Sequence, residues 1–74
     1  MTRLPTLNAR KLIGALKRAG FIENGQRGSH CFLWHPIKRL ETSVPIHAGD
    51  LKRILVRAIL QQVGLTEDEF RAIL

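Results

Sequence analysis

The stretch "ENGQRGSHCFLWHP", residues 23–36, holds most of the side chains in this sequence that can do chemistry: Arg27, Ser29, His30, Cys31 and His35. Their types decide which reactions are open. A nuclease built on two metal ions needs clustered carboxylates, because each cation must be held by negative oxygens. Ahead of the acidic residues at 67–69, the chain has only Glu23, Glu41 and Asp50, spread over separate segments. A zinc site is equally poor. Cys31 adjoins His30 with no second cysteine, and neighbours along a strand point to opposite faces. No glycine-rich phosphate loop or nucleotide fingerprint occurs. Cys31 sits in an apolar run and reads as a small core residue rather than a nucleophile. No metal and no cofactor are expected.

Histidine remains, and it needs no metal to move protons near neutral pH. His30 opens a strand directly after Gly28 and Ser29, and strand alternation groups it with Phe32 and Trp34. Cys31, Leu33 and His35 form the other set. Periodicity leaves open which set is covered. If Cys31 and Leu33 are buried, His30 stands on an open face beside two aromatics, a platform for unstacked bases. If Phe32 and Trp34 are buried, His30 sits at the rim, beside Arg27 and near a basic helix. Both placements suit metal-free RNA cleavage, in which the 2′-OH attacks the adjacent phosphate. That reaction needs a proton carrier and cationic donors for the charge growing on phosphorus. His30 would be the carrier, with Arg27, Lys11 and the Ser29 hydroxyl or backbone N–H on phosphate. A plainer reading also stands, in which His30 hydrogen-bonds its own turn. His35 reads as a turn residue before Pro36, and His47 as a structural polar residue near the second helix.

The surrounding elements are those expected to hold these residues. Asn8 reads as the N-cap of an amphipathic helix that Gly20 ends. Leu12, Ile13, Leu16 and Ala19 form its apolar side, with Arg10, Lys11, Lys17 and Arg18 opposite, around Gly14. Three short strands follow: "FIEN", then "SHCFLWH" after a turn at "GQRG", then "LETSVPI" after a turn at "PIKR". Asp50 reads as the cap of a second helix through Val63. Its main apolar face would be Leu51, Ile54, Leu55, Ala58 and Ile59, with a second stripe of Val56, Leu60 and Val63. "TEDEFRAIL" carries a Thr66/Glu69 capping box, and Phe70, Ile73 and Leu74 can cover that stripe. The order is α-β-β-β-α with a helical tail, a small two-layer α+β domain spanning residues 1–74.

The net charge of +6 is unevenly placed. Residues 1–40 carry eight basic side chains, Arg3 among them, against the single acid Glu23, whereas residues 41–74 are near balance. Such a one-sided footprint suits a polyanion, nucleic acid first. A lone cysteine, no apolar run of membrane-spanning length and no secretory leader point to the cytoplasm.

The ordered pieces "AGF" (19–21), "RGSH" (27–30), "HP" (35–36), "VPIH" (44–47) and "ILQQVGLTEDEF" (59–70) resemble the HicA-type toxins over about residues 7–70. The resemblance implies a double-stranded-RNA-binding-domain-like fold, with a three-stranded antiparallel sheet, helices on one face and a short C-terminal helix. It implies an mRNA interferase whose catalytic histidine falls on His30; the RNA contacts expected from the residues themselves are Lys11, Arg27, Gly28 and Ser29. It also implies a HicB-type antitoxin that masks His30, with DNA reached only through that partner. One departure stands out: Ile54-Leu55-Val56 replaces the family's Gly-Thr-Leu, lengthening the apolar run and extending the helix toward Asp50. A non-catalytic RNA-binding module of the same fold is the alternative.

Overall fold

The computed structural model describes residues 4–74, so Arg3 lies outside the described residues. A two-residue strand β1 (Leu7–Asn8) leads into helix α1 (Ala9–Arg18). The Asn8 side chain accepts from the Lys11 N–H at 2.9 Å, satisfying one of the amides a helix start leaves unpaired. Ala9, Leu12, Ala15 and Leu16 are buried, and Arg10, Lys11, Lys17 and Arg18 face out, as the periodicity implies. Lys17 and Arg18 sit in the last turn, where positive charge complements the helix dipole.

Strands β2 (Ile22–Arg27), β3 (His30–His35) and β4 (Leu40–Pro45) form an antiparallel sheet in the order β2-β3-β4. The first turn differs from its expected position at 25–28. β2 runs on to Arg27, and only Gly28 and Ser29 connect it to β3. Gly28 has a φ of 57°, a sign at the first loop position that suits the tight hairpin turns matching strand twist. The register absorbs the difference. Glu23 pairs with Leu33 and Gln26 with Cys31, so Asn24 and Gly25 together oppose Phe32 in a bulge, with Gly25 at φ 92°. Without that extra residue Gln26 would face His30; with it, Arg27 does.

The burial pattern resolves which side of the sheet is covered. Cys31, Leu33 and His35 of β3, with Thr42 and Val44 of β4, are buried on the side where α1 and α2 (Arg53–Val63) pack. His30, Phe32 and Trp34 are therefore on the open face. Asp50 does not cap α2. It forms, with Leu51, a short strand β5 that pairs antiparallel with β1, Leu51 opposite Leu7 and Asp50 opposite Asn8. That bridge holds the chain extended, so α2 starts at Arg53 with no side-chain cap, and the helix does not extend toward Asp50.

The inward face of α2 is also a correction. Val56, Ile59, Leu60 and Val63 are buried, while Ile54 is 75% exposed and Ala58 faces solvent. The stripe read as secondary is the principal one, because α2 is seated by β4 and by the last helix α3 (Glu67–Ile73). Thr42 of β4 donates to the Gln62 side chain at 2.8 Å. Gly64, at φ 72°, ends α2 in the left-handed conformation. α3 starts on the expected capping box. Thr66 accepts from the Glu69 N–H at 3.1 Å, and the Glu69 carboxylate accepts from the Thr66 N–H at 2.8 Å. Phe70 is fully buried, Ile73 is half-buried and Leu74 is largely exposed. Arg18 Nε donates to the Ile73 carbonyl at 2.6 Å, tying α3 back to α1.

Two stability outcomes follow from these local structures. A Cβ at Gly14 would meet only Arg18 Nη1, at 3.6 Å. Gly14→Ala should therefore raise the unfolding free energy by about 0.5–1 kcal/mol in urea titration, through helix propensity alone. The Thr66 backbone N–H and then its hydroxyl hold the Glu69 carboxyl below its ordinary value. A lowered folded value means the cap stabilises fully above the ordinary carboxylate range and is lost as pH falls through the lowered value. Glu69→Gln should flatten that acid-side loss in thermal melts taken across the carboxylate range.

Candidate functional site

The candidate site is the tip of the β2–β3 hairpin. Arg27 and His30 are direct cross-strand partners on the open face, and Gly28 and Ser29 are the loop between them. The tip is held by hydrogen bonds that do not involve the His30 ring. Gln26 donates its side-chain amide to the Gly28 carbonyl at 3.3 Å, and the Ile46 N–H donates to the Ser29 carbonyl. His30 also faces Pro45 of β4. Its ring is exposed and takes no hydrogen-bond partner among the described residues. The reading in which His30 bonds its own turn therefore has no contact behind it.

The Arg27 guanidinium lies over the Phe32 ring, 5.6 Å from its centroid, and no carboxylate pairs with Arg27 among the described residues. A cation held on an aromatic face keeps its N–H groups available to an anion. Exposed Gly28 and Ser29 add backbone N–H groups and a hydroxyl beside it. The hairpin thus presents one titratable ring, one fixed cation and small hydrogen-bond donors within a four-residue span.

Lys11 is placed elsewhere. It lines a groove with Pro5, Leu7, Arg18 and Leu74, on the layer of the molecule opposite the open face, and His30 is not part of that groove. Arg10 lines that groove too, and with Lys17 it also lines the neighbouring groove that includes Ile46. Ile46 donates to the Ser29 carbonyl, so Arg10 and Lys17 are the α1 cations on the hairpin's side of the helix. Lys17 is engaged by Glu23 at 2.8 Å.

His35 is not a mere turn residue. It is 8% exposed, and its Nδ1 accepts from the Ile37 and Lys38 N–H groups at 3.2 and 3.1 Å. Its ring meets Phe21 edge-on, with centroids 5.1 Å apart. It thereby organises the turn at 36–39 from inside the core. Gly20, at φ 101°, is required beside it, because a Cβ there would come within 2.7 Å of His35 Nε2. His47 is exposed, with Nδ1 3.0 Å from the Ala48 carbonyl. Burial pushes the Cys31 thiol above its ordinary value, and Glu23 adds to this, which disfavours the nucleophilic thiolate. No group of three metal-ligating side chains comes together among the described residues.

A model of the HicA toxin of bacterial toxin–antitoxin systems matches residues 9–65. This chain belongs to the HicA toxin family. The match runs from the first residue of α1 to just past α2, and so contains the whole hairpin; α3 lies beyond it. No curated protein matches the chain. Membership of a toxin–antitoxin family implies a cognate antitoxin as protein partner. The family's Gly-Thr-Leu position is here the first turn of α2, where Ile54 is exposed and Val56 is buried.

The two strand histidines should separate cleanly in denaturant titrations. His35→Ala removes a buried acceptor from two backbone N–H groups and should cost about 1–3 kcal/mol. His30→Ala, at an exposed position without partners, should change stability by no more than about 0.5 kcal/mol.

Proposed function

We propose that this HicA family member is a metal-independent endoribonuclease that cleaves mRNA, with His30 as its general acid or base. The observation that carries this reading is the His30 ring itself. Among the described residues it is exposed and without a hydrogen-bond partner, opposite an Arg27 that pairs with no carboxylate, at the tip of a hairpin in a toxin-family fold. In the reaction the RNA 2′-oxygen attacks the adjacent phosphorus as the 2′-O–H proton leaves. The bond from phosphorus to the 5′-oxygen then breaks as that oxygen takes up a proton. The products are a 2′,3′-cyclic phosphate and a 5′-hydroxyl. One imidazole can accept the first proton or deliver the second. Arg27, with the N–H groups and hydroxyl of Gly28 and Ser29, would meet the charge that grows on the phosphate oxygens. Lys11 and the rest of the basic α1 face would act at longer range, raising the local concentration of RNA.

A single proton carrier and positioned donors make a modest rather than a fast catalyst. The HicB-type antitoxin would cover His30, and any DNA contact would run through that partner. The chain acts as one domain in the cytoplasm. No helix among the described residues is long and apolar enough to cross a membrane, which is compatible with that location.

The test is incubation of the purified chain and its His30→Ala variant with an mRNA in EDTA. The wild type should cleave, and the variant should lose at least about a hundredfold in rate, the usual contribution of a general acid or base. Equal rates would remove His30 from the chemistry. Salt-sensitive RNA binding without any cleavage would instead mark a non-catalytic RNA-binding module.

A further inference from the structure

The open face of the sheet holds a second feature next to the candidate site. Trp34 and Phe32 follow His30 at two-residue steps on the same face of β3. Trp34 is 36% exposed, an unusual setting for so large a ring, and Ile22 of β2 flanks it. Asn24, Arg27, Phe32, Leu33 and Glu41 line a hollow next to it.

We propose that this face is a stacking platform that selects single-stranded RNA, with Trp34 as the specificity-determining residue; the proposal rests on the reading of His30 as the cleaving residue. Stacking carries the first part. A base whose face rests on a protein ring or guanidinium plane has given up its neighbour on that side, so bases seated on Trp34 and on the Arg27–Phe32 pair cannot belong to an intact duplex. Every base has a ring face, so such seating tolerates sequence while rejecting pairing. Sheets that carry exposed aromatics read unpaired RNA in this way.

Charge carries the second part. The Arg27 guanidinium over Phe32 is itself a plane on which a base can stack, and it supplies the cation that a phosphate requires. Glu41 is the direct cross-strand partner of Trp34, and it lines the same hollow as Arg27 and Phe32. Its carboxylate repels phosphate and accepts from base amino groups. The hollow thus holds a cation for phosphate beside a carboxylate for a base edge, which suits an RNA strand better than a uniformly apolar partner surface.

Trp34 is the only tryptophan in the chain, so its fluorescence reports on this position alone. The experiment titrates the His30→Ala chain, which holds RNA uncut, with a short unstructured RNA and with the duplex of the same sequence. The single strand should quench Trp34 emission and the duplex should not. In anisotropy titrations of labelled single strand, Trp34→Ala in the same background should bind about 5- to 150-fold more weakly, and Trp34→Phe close to normally. A urea midpoint for each variant confirms folding. Equal quenching by duplex, or unchanged RNA affinity in Trp34→Ala, overturns the proposal. Unchanged RNA affinity with loss of HicB-type antitoxin binding overturns it too, and gives the face to a protein partner. Selective quenching by single strand in a chain whose wild type never cleaves supports the platform while removing the ribonuclease reading.

Discussion

Cys31, Leu33 and Val44 are buried under α1 and α2, and that contact sets the rest of the molecule. A strand's side chains alternate, so a slip of one residue would expose this set and bury its neighbours. Burial of the one set therefore also fixes the outward direction of His30, Phe32 and Trp34. Among the described residues the helices cover one side of the sheet and leave the other open. The open face is what the core leaves over, held rigid by the core behind it.

The same constraint gives two histidines five residues apart opposite fates. His35 falls on the covered side, where its ring packs on Phe21 and accepts two backbone N–H groups of the turn it precedes. His30 falls on the open side, where its turn is already closed by Gln26 and Ile46. A ring that is not needed to hold the fold is free to meet a substrate. Arg27 is brought to it by the Asn24–Gly25 bulge, which shifts β2 by one place relative to β3.

Features written into adjacent residues were legible in the sequence. The Asn8 cap, the amphipathic α1, the Thr66/Glu69 box and the burial of Phe70 all depend on neighbours within a turn or two of helix. The hairpin motif itself was also legible, as was its likeness to a toxin family. What misled was chemistry with two meanings. Gly25 signals a turn and a bulge alike, and the bulge won because β2 continues to pair beyond it. Asp50 has the character of a helix cap, but pairing with Asn8, 42 positions away, holds it in a strand. The inward face of α2 depends on where β4 and α3 sit, and no window of α2 contains that information. Lys11 and Arg10 are adjacent cations on one helix, and only the packing of α1 shows that Arg10 also lines the groove toward the hairpin while Lys11 does not.

The bulge has one more effect, on encounters between copies of this chain. β2 is an edge strand, and every one of its residues is exposed. A regular edge of six residues offers unpaired N–H and C=O groups to any passing strand, the usual start of sheet-to-sheet aggregation. The Gly25 irregularity interrupts that row midway and twists it, so a second chain cannot continue the ladder along the whole edge. The residue that brings Arg27 opposite His30 thus also helps keep the protein from polymerising.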